Sequence, residues 1–175
     1  MMRLRCSSPA LALAALLTVS ACRGRKAAPV GRGDTAPPFA LPALSGEVSR
    51  FPEGFAGRKG VVLRFWSATC PVCEERMKEF DPVAGRLAAS GVAFVAVNVG
   101  QERAKVEGIA RRLGVGYPLL LDEEAATAKA YRVEALPTTF FVGSDGRVRE
   151  RLVGETGMDA FEATARTLAA PPGPP

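Results

Sequence analysis

The stretch FWSATCPVC, Phe65 to Cys73, holds the key to the fold of this chain. It places two cysteines three apart, directly after VVLRFWS (61–67), a largely apolar run of strand length. Such a run, rich in β-branched and aromatic residues, reads as a central strand buried on both faces. Pro71 then stands where a helix would begin, and in a first helical turn its missing N–H costs nothing. A Cys-x-x-Cys pair can be half of a zinc site, a structural disulfide or a redox-active dithiol. Structural zinc takes four Cys or His ligands, and this chain has four cysteines and no histidine. A structural disulfide across so short a loop would restrain little of the unfolded chain. Position favours the redox reading. At the start of a helix, Cys70 meets free backbone N–H groups and the positive end of the helix dipole, which stabilise a thiolate. Cys73 lies one turn deeper and is suited to resolve a mixed disulfide.

The other two cysteines lie near the N-terminus. Residues 1–21 read as an export signal: Arg3 and Arg5 precede an apolar stretch from Ala10 to Val19, too short to span a bilayer. The ending Val19-Ser20-Ala21-Cys22 resembles a bacterial lipobox, in which the chain is cut before the cysteine and the sulfur is acylated. Ordinary signal cleavage, leaving Cys22 a free thiol, is the alternative. On either reading Cys6 leaves with the signal, and on the lipobox reading only Cys70 and Cys73 remain as thiols. Export also places that pair where disulfides form and persist.

The remaining length suits one domain, expected over 34–169, with a linker at 22–33 and a frayed tail at 170–175. The formal charge of +5 comes from the leader. Of 23 Lys/Arg, six fall in residues 1–33 with no acids among them, so 17 basic groups face 18 acidic ones in the rest. Nothing in that balance suggests nucleic-acid binding. Beside a lipid anchor, the basic linker would attract anionic headgroups.

Along the domain, Phe39–Leu41 and Val48–Phe51 flank a turn and read as a hairpin. A helical stretch runs from Pro71 to about Ala89, with Pro82 expected to kink or break it. VAFVAVNV (92–99) is a second buried strand. Val106, Ile109, Ala110 and Leu113 mark a helix closed by Gly114. YPLLLD (117–122) is a third strand, and 123–131 a short helix. TTFFVG (138–143) and RVRERLV (147–153) form a hairpin around SDG, and Met158–Ala169 is the last helix. Strand–helix alternation demands right-handed parallel crossovers, and the closing hairpin adds an antiparallel edge. The fold class is therefore α/β: a mixed, mostly parallel sheet with helices on both faces.

One more element matters. In ALPTTFFV (135–142), Pro137 precedes a buried strand and cannot sit within its ladder. Trp66, then CPVC (70–73), then LPTT (136–139), together resemble the thioredoxin superfamily. GDTAPPFALPALSGE (33–47) and VAFVAVNVGQ (92–101) are similar to the membrane-anchored TlpA/ResA-like oxidoreductases. The resemblance spans about Gly33 to Leu168. It implies a thioredoxin fold with an N-terminal β-hairpin and a central αβ insertion at about 101–121. It also implies a cis Pro137 facing the disulfide, and a substrate groove lined by Trp66, Pro71, Val72, Leu136 and Thr138, although a tryptophan at position 66 fits core packing as well as a groove. The implied activity is thiol–disulfide exchange with exported proteins, apocytochrome c among them. It needs no metal or organic cofactor and takes a membrane-embedded thiol transporter as redox partner; a monomer is expected.

The sequence departs from that family at its proton-handling acids. Many thioredoxins carry a buried acid two residues before the tryptophan, where Arg64 stands here. ResA-like proteins often carry a glutamate three residues after the second cysteine, where Arg76 stands, with Glu74 and Glu75 beside it. Arg64, if its head reaches the site, would stabilise a Cys70 thiolate; otherwise it would extend to the sheet edge. Glu75 would pair with Arg64 or relay protons. Two other functions compete. A peroxiredoxin-like peroxidase draws on Ser67, three residues before Cys70, but position 63 is Leu63 and lacks the proline expected there. A copper(I)-binding thiol protein draws on the softness of thiolates, without any histidine to assist.

Overall fold

The computed structural model describes residues 28–170. Its frame is a five-stranded sheet of order β5-β4-β3-β6-β7. These strands are β3 (Gly60–Trp66), β4 (Val92–Val99), β5 (Leu119–Asp122), β6 (Thr138–Gly143) and β7 (Val148–Val153). β3 and β4, and β4 and β5, pair in parallel, while β6 runs antiparallel to both β3 and β7. The first two strands, β1 (Phe39–Pro42) and β2 (Val48–Phe51), form a separate two-stranded antiparallel sheet. Central β3 is buried at all seven positions, as its apolar run predicts.

Alternation along β3 sends its side chains to two different cores. Val62 and Trp66 join Cys73, Met77, Phe80, Phe94 and Phe161 on one face. Val61, Leu63 and Phe65 join Val97, Tyr131 and Phe140 on the other. Helices α1 (Pro71–Arg76), α2 (Phe80–Ala89), α3 (Arg103–Leu113) and α5 (Met158–Arg166) supply the first core. Helices thus crowd one face. The other is covered by the short α4 (Ala126–Ala130) together with the N-terminal strand, whose Ala36, Phe39, Leu41 and Ala43 point inward. α3 and β5 occupy the stretch expected as the insertion.

The helix after the cysteines does break, but earlier than Pro82. The interruption is a 3-10 turn at Met77–Glu79. Proline lacks the N–H that would bond the carbonyl four residues back and its ring clashes with that carbonyl, so the fault falls around Lys78. Pro82 itself fits the first turn of α2. α3 ends as expected, on Gly114 at φ +65°, whose N–H bonds the Ala110 carbonyl. α4 begins later than its sequence suggests, because the Asp122 carboxylate accepts from the N–H groups of Thr127 and Ala128.

At its two ends the N-terminal segment reaches both margins of the sheet. Thr35 bridges Arg147 alongside β7, and Ala43 bridges Leu120 of β5. Arg103 fixes the second contact by donating to the carbonyls of Ala43 and Leu44.

Candidate active site

The site stands at the carboxyl end of β3. Ser67 to Thr69 leave the strand, Cys70 caps α1 in an extended conformation and Pro71 is the first helical residue. Cys70 and Cys73 are joined as a disulfide. Cys70 is partly exposed, whereas Cys73 is fully buried among Trp66, Met77 and Phe80. The loop closes through Cys70 N–H to the Ser67 carbonyl at 3.1 Å and Cys73 N–H to the Cys70 carbonyl at 3.0 Å.

The opposite wall comes from the segment before β6. The Leu136–Pro137 peptide is cis, and the Leu136 carbonyl oxygen lies 3.7 Å from the Cys70 sulfur. Thr138 is buried, and its hydroxyl donates to the Ala135 carbonyl at 2.7 Å. Gly154, just past β7, donates its N–H to the Pro137 carbonyl at 2.8 Å. A cleft of about 430 Å³ opens beside this wall between Ser67, Thr69, Gln101, Lys105 and Leu136. A larger hollow, bounded by Phe51, Phe55, Gly60 and Leu168, lies at the far end of β3.

Of the residues expected to line a groove, Val72 is exposed and Leu136 is half-buried at the rim. Trp66 is not on the surface. It is 1% exposed and backs the site from within the core, because its position on β3 faces the helical layer.

The charged residues depart furthest from expectation. Arg64 neither points at a sheet edge nor pairs with Glu75. It is 3% exposed, its guanidinium carbon lies 4.4 Å from the centre of the Phe80 ring, and its carboxylate partner is Glu155. Its Nη1 also donates to the Thr139 hydroxyl at 3.4 Å. Burial pushes the Arg64 pKa down from its ordinary value, while the adjacent Glu155 carboxylate opposes that fall. Arg76 turns the same way: its Nη2 donates to the Thr156 carbonyl at 3.0 Å, and its Nε lies 3.8 Å from Glu155. Glu75 is exposed on α1 and takes no part in this cluster.

Two residues that sequence reasoning missed also build the site. One is Glu155, which no local motif marks. The other is Gln101, the last residue of VAFVAVNVGQ: its Oε1 accepts from Ala68 N–H at 2.8 Å and from Asn98 Nδ2 at 2.9 Å, pinning the loop that leads into Cys70. Ser67 turns to its own loop, with its oxygen 3.0 Å from the Thr69 hydroxyl and accepting from Thr69 N–H at 3.3 Å. Among the described residues no group of three or more Cys, Asp or Glu side chains is arranged to hold a metal, and no helix is long and apolar enough to cross a membrane.

A disulfide between cysteines three apart, one partly exposed and one buried, set beside the carbonyl of a cis Leu136–Pro137 peptide on this sheet, defines a thioredoxin-like enzyme of thiol–disulfide exchange. The chain belongs to the ResA-like thiol–disulfide oxidoreductases, within the AhpC/TSA family, whose pattern matches residues 32–151. It is 37% identical over 133 residues to the thiol-disulfide oxidoreductase ResA of Geobacillus kaustophilus, covering 76% of this chain and 75% of that protein. A structure described as a DsbE thiol:disulfide interchange protein of Chlorobium tepidum superposes with a TM-score of 0.74 at 26% identity, covering 81% of this chain and 99% of the other. The peroxidoxin BcpB of Mycobacterium tuberculosis follows the same fold, with a TM-score of 0.68 at 26% identity over 80% of this chain and 96% of that one. The enzyme therefore acts on protein thiols and disulfides.

Proposed function

We propose that this enzyme works outside the cytosol, held to a membrane through an acylated Cys22, and exchanges its Cys70–Cys73 pair with the cysteines of exported proteins. The observation that carries this reading is the contrast within the pair: Cys70 is partly exposed, Cys73 is 0% exposed, and the two are bonded. In the reducing direction a Cys70 thiolate attacks a substrate disulfide and expels one substrate thiolate. Cys73 then attacks Cys70 in the mixed disulfide, releases the second substrate thiolate and regenerates the bonded pair. The oxidising direction is the reverse. Pro137 and Leu136 form the wall against which the substrate backbone docks, with exposed Val72 beside it, while Thr138 is buried and braces the wall from behind. The signal at 1–21, the lipobox cysteine and the linker up to residue 27, which supply the anchor, fall outside the described residues. A membrane-embedded thiol transporter would exchange electrons with the monomeric domain, and apocytochrome c is one fitting substrate class.

The test is the reduction potential of the pair in glutathione and thioredoxin buffers. A value near that of thioredoxin, about −270 mV, makes the protein a reductase; one near −120 mV makes it a disulfide donor. Absence of a reversible couple overturns the reading.

A peroxidase is the second reading, favoured by the likeness to a peroxidoxin. Ser67 is engaged with Thr69, and the neighbouring sulfur is already bonded to Cys73. Peroxide consumption sustained over many turnovers, with dithiothreitol re-reducing the pair after each, would establish it.

A further inference from the structure

Three parts of the site converge on one carboxylate. Arg64 reaches it from β3, and Arg76 reaches it from the end of α1, three residues past Cys73. Glu155 itself follows Gly154, whose N–H holds the Pro137 carbonyl. The strand beneath the disulfide, the helix that carries both cysteines and the loop that braces Pro137 are thus tied through a single side chain. Glu79, 3.5 Å from Arg76 Nε, is the other acid in the cluster, on its exposed side. Tyr117 lies near Arg64, but its hydroxyl donates to the Met77 carbonyl at 2.9 Å and burial raises its pKa, so it stays neutral.

The charges matter because of where they lie. Arg64 is almost wholly removed from water, where a charge acts over a longer range than at the surface. Its strand position also faces the core that contains Cys73. Two cations near a couple that gains negative charge on reduction would draw it toward the reduced form. One carboxylate between them opposes that pull.

We propose that Glu155 is a positioning residue for the Cys70–Cys73 couple: by balancing Arg64 and Arg76 it keeps the pair more reducing than the two arginines alone would make it. The inference rests on the thiol–disulfide function above. At neutral pH the relevant half-reaction takes two electrons and one proton into the disulfide, giving a Cys70 thiolate and a Cys73 thiol. The electrons come from two glutathione thiols, which leave as glutathione disulfide. Neutralising Glu155 stabilises the thiolate product, and neutralising Arg76 destabilises it.

The experiment uses the full chain with Cys6 and Cys22 replaced by serine, equilibrated in glutathione redox buffer, with Cys70 titrated by thiolate absorbance. Glu155→Gln is expected to shift the equilibrium about tenfold toward reduced protein, roughly 30 mV for this two-electron couple, and to lower the pH at which Cys70 ionises. Arg76→Gln, at a partly exposed position that does not strand buried Arg64, is expected to shift it at least twofold the opposite way. A role limited to packing would move neither reading. If Glu155→Gln fails to fold, Arg76→Gln alone decides. Variants that leave both readings within error of the parent, or that shift the equilibrium against these signs, overturn the inference. A parent with no reversible couple removes the function and the inference together, whereas a reversible parent couple that neither variant moves removes the inference alone.

Discussion

The Cys70 sulfur lies 3.7 Å from the Leu136 carbonyl oxygen, while the Cys73 sulfur bonded to it is sealed in the core. The two sulfurs are chemically alike but sterically unequal, so their serine variants should behave differently. Both Cys70→Ser and Cys73→Ser are expected to lose turnover in insulin-disulfide reduction. Only Cys73→Ser should accumulate a mixed disulfide with glutathione or substrate, read as a mass increase that dithiothreitol removes. An adduct on Cys70→Ser instead would reverse the assignment of attacking and resolving sulfur.

Gln101 satisfies two donors with one oxygen, the N–H of Ala68 and the amide of Asn98. Gln101→Leu keeps the bulk and strands both. A stranded buried donor costs about 1–3 kcal/mol, so a loss of about 2 kcal/mol is expected in urea unfolding. Faster hydrogen exchange at the Ala68 amide should accompany it. An unchanged midpoint would mean that water replaces the side-chain oxygen without loss.

Gly60 opens β3 with no room for a side chain. A Cβ there would sit 2.7 Å from the Val142 carbonyl oxygen and 2.8 Å from the Cβ of Leu168. Gly60→Ala should destabilise by about 1–3 kcal/mol, the usual cost of overfilling a packed core. The redox potential should stay put, since the clash lies at the far end of the strand from Cys70. A thermal midpoint equal to that of the parent would show that α5 and the turn after it yield.

Glu162 accepts from Arg86 on α2 at 2.8 and 2.6 Å and from Arg166 at 2.7 Å. The Arg86 hydrogen bonds, then those of Arg166, lower its pKa from 4.5 to about 2. A carboxyl with a depressed folded-state pKa contributes stability that is complete above its unfolded value. That contribution should fade as pH drops from 4.5 toward 2. Over this window Glu162→Gln should lose less stability than the parent, in parallel urea titrations. Equal slopes would show that the clamp between α2 and α5 contributes nothing in solution.

Features set by local chemistry could be read from the chain before any coordinates. Period and punctuation mark β3, β4 and the closing hairpin, and Gly114 ends α3 where its lack of a Cβ permits a left-handed turn. The Cys-x-x-Cys pair announces itself by position. The partner of Arg64 could not be read in that way, because Glu155 is brought to it by register: Val153 sits opposite Thr138, which carries Gly154 to Pro137 and Glu155 one step further. No spacing in the sequence encodes a neighbour 91 residues away. Trp66 was ambiguous for a related reason, since a tryptophan beside a catalytic loop fits a core and a groove equally well, and only the pleat of β3 assigns its side.

The segment from Gly33 to Ala43 touches β7 at one end, through Gly33 and Asp34 on Val148, and β5 at the other, through Ala43 on Leu120. Those are the two outermost strands of the sheet, where unpaired backbone groups invite pairing with a second molecule. One stretch of chain therefore guards both flanks against self-association. Trimming the protein back to residue 44 would bare the two margins at once and open them to intermolecular strand addition.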